Sequence, residues 1–214
     1  MPEQKKTRKR RANGEESRRR ILDAAVEVAT ERGYEGTSIA LVSTKSGLPA
    51  SSIYWHFKDK DELIAAVIER SFSSWMSGWV VPEGESSRDR LVALARQVAK
   101  TLLESPDFLR LGLMLTLERR PVEPSARTMF LQVREQARRQ LVDAARTLFS
   151  DAPEFSDVPE DAVELLATYA MAAADGLFIA KEIDGDSIDL LALFELHAHS
   201  LYDAAQRLSA SEKH

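Results

Sequence analysis

The chain has 214 residues, which corresponds to one large domain or two small ones. Hydrophobic residues make up 44% and charged residues 29%, which is ordinary for a globular protein and argues against wholesale disorder or a fibrous structure. The absence of cysteine excludes disulfides, thiolate metal sites, iron–sulfur clusters and cysteine nucleophiles. We find no apolar run near the roughly 18 residues that span a bilayer, and no secretory signal. We therefore expect a cytoplasmic protein with no membrane partner.

The net charge of −5 is distributed unevenly along the chain. Residues 1–60 carry 13 basic and 8 acidic side chains, a net charge of +5, and residues 61–214 carry a net charge of −10. This asymmetry predicts that only the N-terminal part meets a polyanion. Residues 1–16 are basic and lack apolar periodicity, so we expect a disordered basic arm. The arm either contacts phosphates or serves only as a solubilising tail.

Apolar spacing predicts three helices within residues 17–57. The first is expected to end at Gly33, and Thr37 is expected to cap the second. Gly47 breaks the second helix, and Pro49 is tolerated at the start of the third, where its missing N–H would have had no partner. Short helices around a glycine turn describe a helix-turn-helix unit, although such units also occur as plain packing motifs.

The rest of the chain shows helical periodicity and no strand pattern. Predicted helices cover residues 61–80, 87–104, 107–120, 125–149, 160–183 and 187–209. The predicted fold class is therefore all-α, with about nine helices.

The third helix presents small and polar side chains where a recognition helix would meet DNA. Val42, Leu48 and Ile53 are expected to pack it against the second helix, and Phe57 is expected in the core. The outward positions are Ala50, Ser51, Ser52, Tyr54, Trp55 and His56. Small residues let a helix sit deep in the major groove, and the larger ones, with Lys60, can reach flanking phosphates. Trp55 either contacts DNA or packs on the first helix.

One continuous segment resembles a known family. It runs through Gly33, Thr37, Ile39, Val42, Gly47, Leu48, Ile53-Tyr54-Trp55-His56-Phe57, Lys60 and Leu63. The segment is similar, without a gap, to the DNA-binding domain of TetR/AcrR-family (tetracycline-repressor-like) transcriptional regulators, and the resemblance covers residues 17–63. It implies a homodimeric, ligand-responsive DNA-binding protein, usually a repressor of a palindromic operator, with no cofactor and no enzymatic activity. The DNA-binding residues we expect are Arg18, Thr37, Ala50, Ser51, Ser52, Tyr54, Trp55, His56 and Lys60.

Two positions depart from this family's pattern. Many members have Ser-x-Gly where this chain has Pro49-Ala50-Ser51, and alanine where it has Ser43. Pro49 removes a serine cap, and Ala50 offers only a methyl group. We therefore expect little direct base readout, with DNA shape and the N-terminal arm contributing more.

The resemblance also implies an effector-binding and dimerisation domain over residues 64–209, followed by a tail at 210–214. Residues 162–180 are rich in small side chains that let helices approach closely, and the last helix is apolar nearly all round. Two such helices from each chain would form a four-helix dimer interface, whereas the alternative is a helix buried within a monomer. The interface residues we expect are Ala170, Ala174, Leu177, Phe178, Leu191, Phe194, His197 and Leu201. Asp175 is interpreted as a structural acceptor near this seam rather than a ligand contact.

Aromatic residues and methionines in the middle helices favour an apolar small-molecule effector, although each one could be ordinary core. The candidate effector residues are Phe72, Trp75, Met76, Trp79, Phe108, Leu111, Met114, Leu115, Phe130 and Tyr169. Polar candidates are Arg110, Glu118 and Arg119. His197 and His199 lie on different helix faces, so no metal site is expected. The alternative function is an all-helical small-molecule-binding or interaction protein with weak or lost DNA specificity.

Overall fold

A computed structural model describes residues 2–77, 79–84, 86–118, 122–155 and 157–211, with the side chains of residues 2–11 and 211 outside that description. Within these ranges the protein has nine α-helices, two short 3₁₀ turns and no strand. The predicted all-α class is therefore confirmed.

The helix bounds follow the predicted order closely. They are α1 Pro2–Gly36, α2 Ile39–Ser46, α3 Ala50–His56, α4 Lys60–Met76, α5 Ser87–Glu104, α6 Asp107–Leu117, α7 Ser125–Ser150, α8 Glu160–Asp184 and α9 Leu190–Ser211. The 3₁₀ turns are Pro153–Phe155 and Gly185–Ser187. The main differences are that α4 and α6 end three to four residues earlier than predicted, and that α9 begins three residues later.

The N-terminal arm differs from expectation, because the backbone of residues 2–16 is helical and continuous with α1. The physical reason is composition: Lys, Arg, Gln, Glu and Ala all favour helix, and this segment contains no internal proline. Gly33 interrupts the helix with φ 68° and ψ −177°, in a region that favours glycine. The Met114 methyl group lies 3.0 Å from the position that a Cβ at Gly33 would occupy, so a side chain there would also crowd α6.

The chain folds into two compact units. The first unit comprises Met1–Ser73 and Ser105–Val133, and the second comprises Ser74–Glu104 and Arg134–His214. The division lies beyond the boundary we expected after Leu63, because the buried apolar face of α4 continues through Ile64, Val67 and Ile68.

The core of the first unit contains apolar residues from α1, α2, α3, α4, α6 and the start of α7. Its most deeply buried members include Ile21, Leu22, Val42, Ile53, Leu63, Leu111, Leu115 and Phe130. This arrangement supports α2 and α3 on a rigid base.

The second unit is built from α5, α8, α9 and the later part of α7. Two ion pairs fix the antiparallel register of α5 and α9, with Arg88 Nη2 2.7 Å from Asp203 Oδ1 and Arg96 Nε 2.5 Å from Glu195 Oε1. Phe155 of the first 3₁₀ turn packs into the same cluster as Leu166 of α8.

The segment Glu160–Ser187, which contains α8, is long and apolar enough by length and composition to cross a membrane. This finding corrects the expectation that no run approaches that length. Core helices of water-soluble proteins pass the same test, and Glu164 and Asp175 on α8 both form ion pairs with arginines of α7. Only 28% of the apolar window is buried within the chain, which leaves one face of the helix uncovered.

Candidate nucleic-acid interface

The start of α2 is capped by Ser38, whose hydroxyl accepts a hydrogen bond from the Leu41 N–H at 3.3 Å. The prediction that Thr37 caps this helix is wrong. Thr37 is 2% exposed, and its hydroxyl donates to the Gly33 carbonyl at 2.7 Å. The left-handed backbone of Gly33 presents that carbonyl to Thr37, so the Thr37 hydroxyl is not available to a phosphate in this structure.

The turn between α2 and α3 is held by side chains as well as by glycine. Gly47 has φ 65°, the left-handed conformation expected from the sequence. The Arg20 guanidinium of α1 donates to the Ser46 carbonyl at 2.7 Å, and the Ser43 hydroxyl donates to the Leu48 carbonyl at 2.7 Å. Ser43, noted above as a departure from the family pattern, therefore stabilises the turn.

Helix α3 begins after Pro49 without a side-chain cap, as its sequence predicts. Val42, Ile53 and Phe57 are almost fully buried, which confirms that they belong to the core. The opposite face is accessible: Tyr54 is 57% and Trp55 72% exposed. Ser51 is exposed, and Ala50 and Ser52 are half-buried.

Trp55 lies beside the first helix and is also exposed to solvent. Its ring lies 3.6 Å from the position that a Cβ at Gly14 would occupy, so it touches α1 while most of its surface stays accessible. The N-terminal part of α1 therefore runs close beside the recognition helix, and a Cβ at Gly14 would meet Trp55 at an ordinary van der Waals distance. Sequence reasoning missed this contact, because nothing in a lone glycine indicates its neighbour.

His56 joins the end of α3 to α1. Its Nε2 atom lies 2.9 Å from the Ser17 hydroxyl, and its ring meets Trp55 edge-on with centroids 4.5 Å apart. Burial, followed by the nearby charge of Arg18, lowers the pKa of His56. Arg18 is itself exposed, with its guanidinium 5.4 Å from the centre of the Phe57 ring.

Lys60 is engaged with α1. Its Nζ atom donates to the Tyr34 carbonyl at 3.1 Å and lies 4.3 Å from the centre of the Tyr34 ring. The Glu35 carboxylate is 3.8 Å away. Lys60 therefore fastens α4 to α1 in this structure, and any phosphate would have to compete with these partners.

The ten candidate effector residues are divided between the two units. Phe72, Phe108, Leu111, Leu115 and Phe130 are buried in the core of the first unit, whereas Met114 is 45% exposed. Trp75, Met76, Trp79 and Tyr169 belong to the second unit. Trp75 and Trp79 pack edge-on at 4.3 Å, and Tyr169 is 47% exposed. Among the polar candidates, Arg110 lies 3.8 Å from Asp107, and Arg119 falls outside the described residues.

A different set of residues encloses an apolar cavity in the second unit, between α5, α7, α8 and α9. It holds about 580 Å³ of space, including its open mouth. Its walls are mostly leucines and alanines; the alanines are Ala144, Ala145, Ala167, Ala170 and Ala205. Two of these alanines lie on α8. The small side chains of α8 predict a close approach to another helix, but these two border the cavity instead. Among the lining residues that the structure describes, Ser87 and Tyr202 are the two that carry hydroxyl groups.

A charged network lies beside Tyr202. The Arg88 guanidinium lies 4.2 Å from the centre of the Tyr202 ring and donates to Asp203, and its Nη1 is 3.3 Å from His199 Nδ1. The Tyr202 hydroxyl donates to Glu154 at 3.1 Å. These contacts hold one wall of the cavity in place.

The predicted dimer residues are only partly accessible. Phe178 and Phe194 are 3% and 2% exposed, because they pack within the chain's own core. Leu201 lines the cavity. Ala170, Ala174, Leu177 and His197 are half-buried, and Leu191 is 40% exposed.

The accessible apolar stripe on α8 lies on another face. Its members recur every three or four residues and are all exposed: Leu165, Tyr169, Ala172, Gly176, Ile179 and Ile183. We call this set the α8 stripe. Leu196 of α9 is also exposed, at 62%.

His197 lies half-buried between α8 and α9. One ring nitrogen bonds to the Ala170 carbonyl, and the buried Nε2 atom has no partner among the residues that the structure describes. Burial lowers the pKa of His197. In the same described part of the chain, no group of three or more acidic or histidine side chains is arranged to hold a metal ion.

The buried packing of α1, α2 and α3, with an accessible aromatic face on α3, forms a helix-turn-helix unit of the kind that DNA-binding proteins use. Residues 21–67 match the sequence profile of the family described as bacterial regulatory proteins, tetR family. On this match, residues 21–67 are assigned to the N-terminal helix-turn-helix segment of that family's profile.

Curated relatives agree with this assignment. An HTH-type transcriptional repressor of Mycobacterium tuberculosis is 29% identical over 141 residues, which are 66% of this chain and 52% of that protein. The HTH-type transcriptional regulator AcrR of Shigella flexneri is 36% identical over 67 residues, 31% of each chain. The chain thus spans about half the length of the first of these relatives.

Solved structures extend the likeness to the whole fold. The transcriptional regulator FadR of Bacillus subtilis, crystallised in complex with stearoyl-CoA, superposes with a TM-score of 0.68 at 19% identity. The match covers 85% of this chain and 96% of that one. At this identity the likeness concerns the fold alone.

Proposed function

We propose that the protein is a cytoplasmic homodimeric repressor of a palindromic operator, released by a small apolar effector. The observation that carries DNA binding is the accessible face of α3, where Tyr54 and Trp55 stand out beside small residues. Ala50, Ser51 and Ser52 face bases in this proposal, and Arg18, Tyr54, Trp55 and His56 serve the phosphates. Ser38 takes the place expected of Thr37 at the start of α2, while Thr37 and Lys60 support the domain from within.

The α8 stripe supports the homodimer. A monomer would leave its four large apolar side chains in water, and a second copy of α8 would cover them. Ala172 and Gly176 lie at the centre of the stripe and add little bulk, so two such helices can approach closely. A two-fold dimer would set the recognition helices about one DNA turn, roughly 34–36 Å, apart.

The cavity of the second unit supports the apolar effector. Leucines, alanines and two phenylalanines form most of its lining, which favours an uncharged hydrocarbon surface over a sugar or nucleotide. Ser87 and Tyr202 could orient one polar group of such a molecule. The stearoyl-CoA bound by the Bacillus subtilis regulator likewise contains a long apolar chain.

Selection of bound sites from a random DNA pool tests the DNA-binding proposal. We expect the full chain to enrich a palindromic sequence, and Tyr54→Ala to abolish the enrichment while the helical circular-dichroism signal is retained. The matched control is Lys100→Ala, because Lys100 is exposed on α5, in the second unit. Binding should weaken steeply as salt is added. The logarithm of the association constant should fall against the logarithm of the salt concentration with a slope of about 0.9 per neutralised phosphate.

A folded dimer that enriches no sequence would favour the alternative of a small-molecule-binding or interaction protein. Screening would then turn to the cavity alone. The neutral fluorescent probe N-phenyl-1-naphthylamine, with Ala145→Leu as the cavity-filling variant, tests that site directly. Equal probe binding by the wild type and Ala145→Leu would contradict the assignment of the cavity.

A further inference from the structure

The first turn of α4 holds the N-terminus of α7. The Asp61 carboxylate accepts hydrogen bonds from the Ser125 N–H at 2.6 Å, the Ser125 hydroxyl at 2.5 Å and the Ala126 N–H at 3.0 Å. The N–H groups of a helix's first turn have no acceptor within the helix. Asp61 therefore acts as the cap of α7 from 64 residues away in sequence.

The same carboxylate also reaches α1. The Tyr34 hydroxyl donates to Asp61 Oδ1 at 3.3 Å. The neighbouring Lys60 donates to the Tyr34 carbonyl. Asp61 consequently joins three helices at one point: α4 that carries it, α7 that it caps, and α1 that packs against the recognition helix.

Helix α7 leads from this point to the cavity. It is continuous from Ser125 to Ser150, and its later turns supply Leu141, Ala145 and Leu148 to the cavity lining. A hydrogen-bonded helix transmits displacement along its axis because its backbone resists stretching. A ligand that pushes on these later turns would therefore act on the helix whose first turn Asp61 holds.

We infer that Asp61 is a positioning residue, whose capping of α7 couples occupancy of the cavity to the placement of the recognition helix. The inference deepens the proposed function and rests on it. Loss of the cap should leave DNA binding and cavity binding in place but weaken the influence of one on the other. By linkage, the coupling must work in both directions.

The first experiment measures operator affinity of the full chain with and without saturating N-phenyl-1-naphthylamine. We expect the probe to weaken operator binding by about tenfold in the wild type, a typical coupling factor, and by less than about threefold in Asp61→Asn. The matched control is Glu62→Gln, which removes one negative charge from the same turn; among the described residues the Glu62 carboxylate accepts a hydrogen bond from the Lys58 N–H alone. This control separates the cap from a general change in charge near DNA.

The second experiment needs no effector. Hydrogen exchange at the Ser125 and Ala126 amides reports the cap directly, and we expect operator binding to slow it in the wild type and Glu62→Gln but not in Asp61→Asn. Exchange unaffected by the operator would overturn the inference. The inference is also overturned if the probe weakens operator binding as much in Asp61→Asn as in the wild type, and in that case the proposed function stands. If the wild type enriches no operator, the proposed function itself fails.

Discussion

Arg134 of α7 and Asp175 of α8 form a two-point ion pair: Nη1 donates to Oδ1 at 2.9 Å, and Nη2 donates to Oδ2. The two side chains are 29% and 20% exposed. Asp175 stands out in the sequence as the odd carboxylate of an apolar helix, and the structure supplies its partner. It acts as a structural acceptor beside Gly176 of the α8 stripe.

Removing one partner of this pair should destabilise the fold. Asp175→Asn removes the charge from the acceptor of a half-buried guanidinium, and we expect a loss of about 1–3 kcal/mol in the free energy of unfolding. Urea denaturation measures the loss, and the control is Glu104→Gln, because Glu104 is an exposed residue of α5. The double variant Arg134→Met/Asp175→Leu should recover much of it, because well-packed apolar residues can replace a buried pair. Equal stability of Asp175→Asn and the wild type would contradict this role.

Asp61 should make folding stability depend on acid pH. Burial opposes its ionisation, but hydrogen bonds from Ser125, Ala126 and Tyr34 outweigh this effect and lower its pKa below the usual 3.8. A lowered folded-state pKa contributes stability above pH 3.8 that is lost as the pH falls through the folded value. We expect Asp61→Asn to be about 1 kcal/mol less stable at pH 7, because the amide keeps one acceptor oxygen but loses the second acceptor and the negative charge, and we expect the gap to narrow below pH 3.8. A constant gap in urea titrations down to pH 2.5 would argue against the cap.

His56 should link operator binding to proton uptake. Burial and Arg18 keep its pKa below 6.5 in the free chain, whereas a neighbouring phosphate would favour the charged ring. Operator binding would then take up a proton, so affinity should rise by up to about tenfold between pH 7.5 and 5.5 at constant salt. Fluorescence anisotropy should show a flatter profile for His56→Gln than for the control His199→Gln. Parallel profiles would place His56 away from phosphate.

Gly112 should be intolerant of any side chain. An added Cβ would lie 1.9 Å from Phe130 Cδ2, and Phe130 is 1% exposed in the core of the first unit. We expect Gly112→Ala to lose about 2 kcal/mol, since overpacking outweighs the gain in helix propensity. Thermal unfolding would measure the loss, and adding Phe130→Leu should reduce it. A Gly112→Ala protein as stable as the wild type would show that α6 and α7 shift apart freely.

The α8 stripe should set the oligomeric state. A glutamate at Ile179 would be buried without a counter-charge in the dimer, and such a charge costs about 3 kcal/mol or more. We expect Ile179→Glu to sediment as a folded monomer at concentrations where the wild type sediments as the proposed dimer. The control is Leu117→Glu, which places the same charge on an exposed position of α6. Dimers that persist in Ile179→Glu would exclude this face.

Local sequence signals predicted the elements well. Helix α5 has the predicted bounds, since serine caps and an apolar stripe define it within its own residues. The arm before Ser17 lacks apolar periodicity, which predicts disorder, but its residue types favour helix and its backbone is helical. Thr37 and Ser38 both suit a cap, and only the backbone at Gly33 decides that Ser38 takes it.

The candidate sites were less predictable, because composition does not say which face of an apolar helix is covered. Phe178 and the exposed Ile179 are adjacent and equally apolar, yet one fills the protomer's core and the other stands in the α8 stripe. The aromatic residues that suggested an effector pocket are mostly core, while alanines surround the cavity. A cavity arises from side chains that are too small to meet, and such an absence has no sequence signature.

By itself the sequence determined the all-helical class, the helix-turn-helix unit and the residues displayed on α3, because these depend on spacing within a few turns. The tertiary structure alone decided the partners of Asp61, Asp175 and His56, the position of the cavity and the stripe left open on α8. Those contacts join residues far apart in the chain. Their geometry depends on how whole helices pack, which no local pattern encodes.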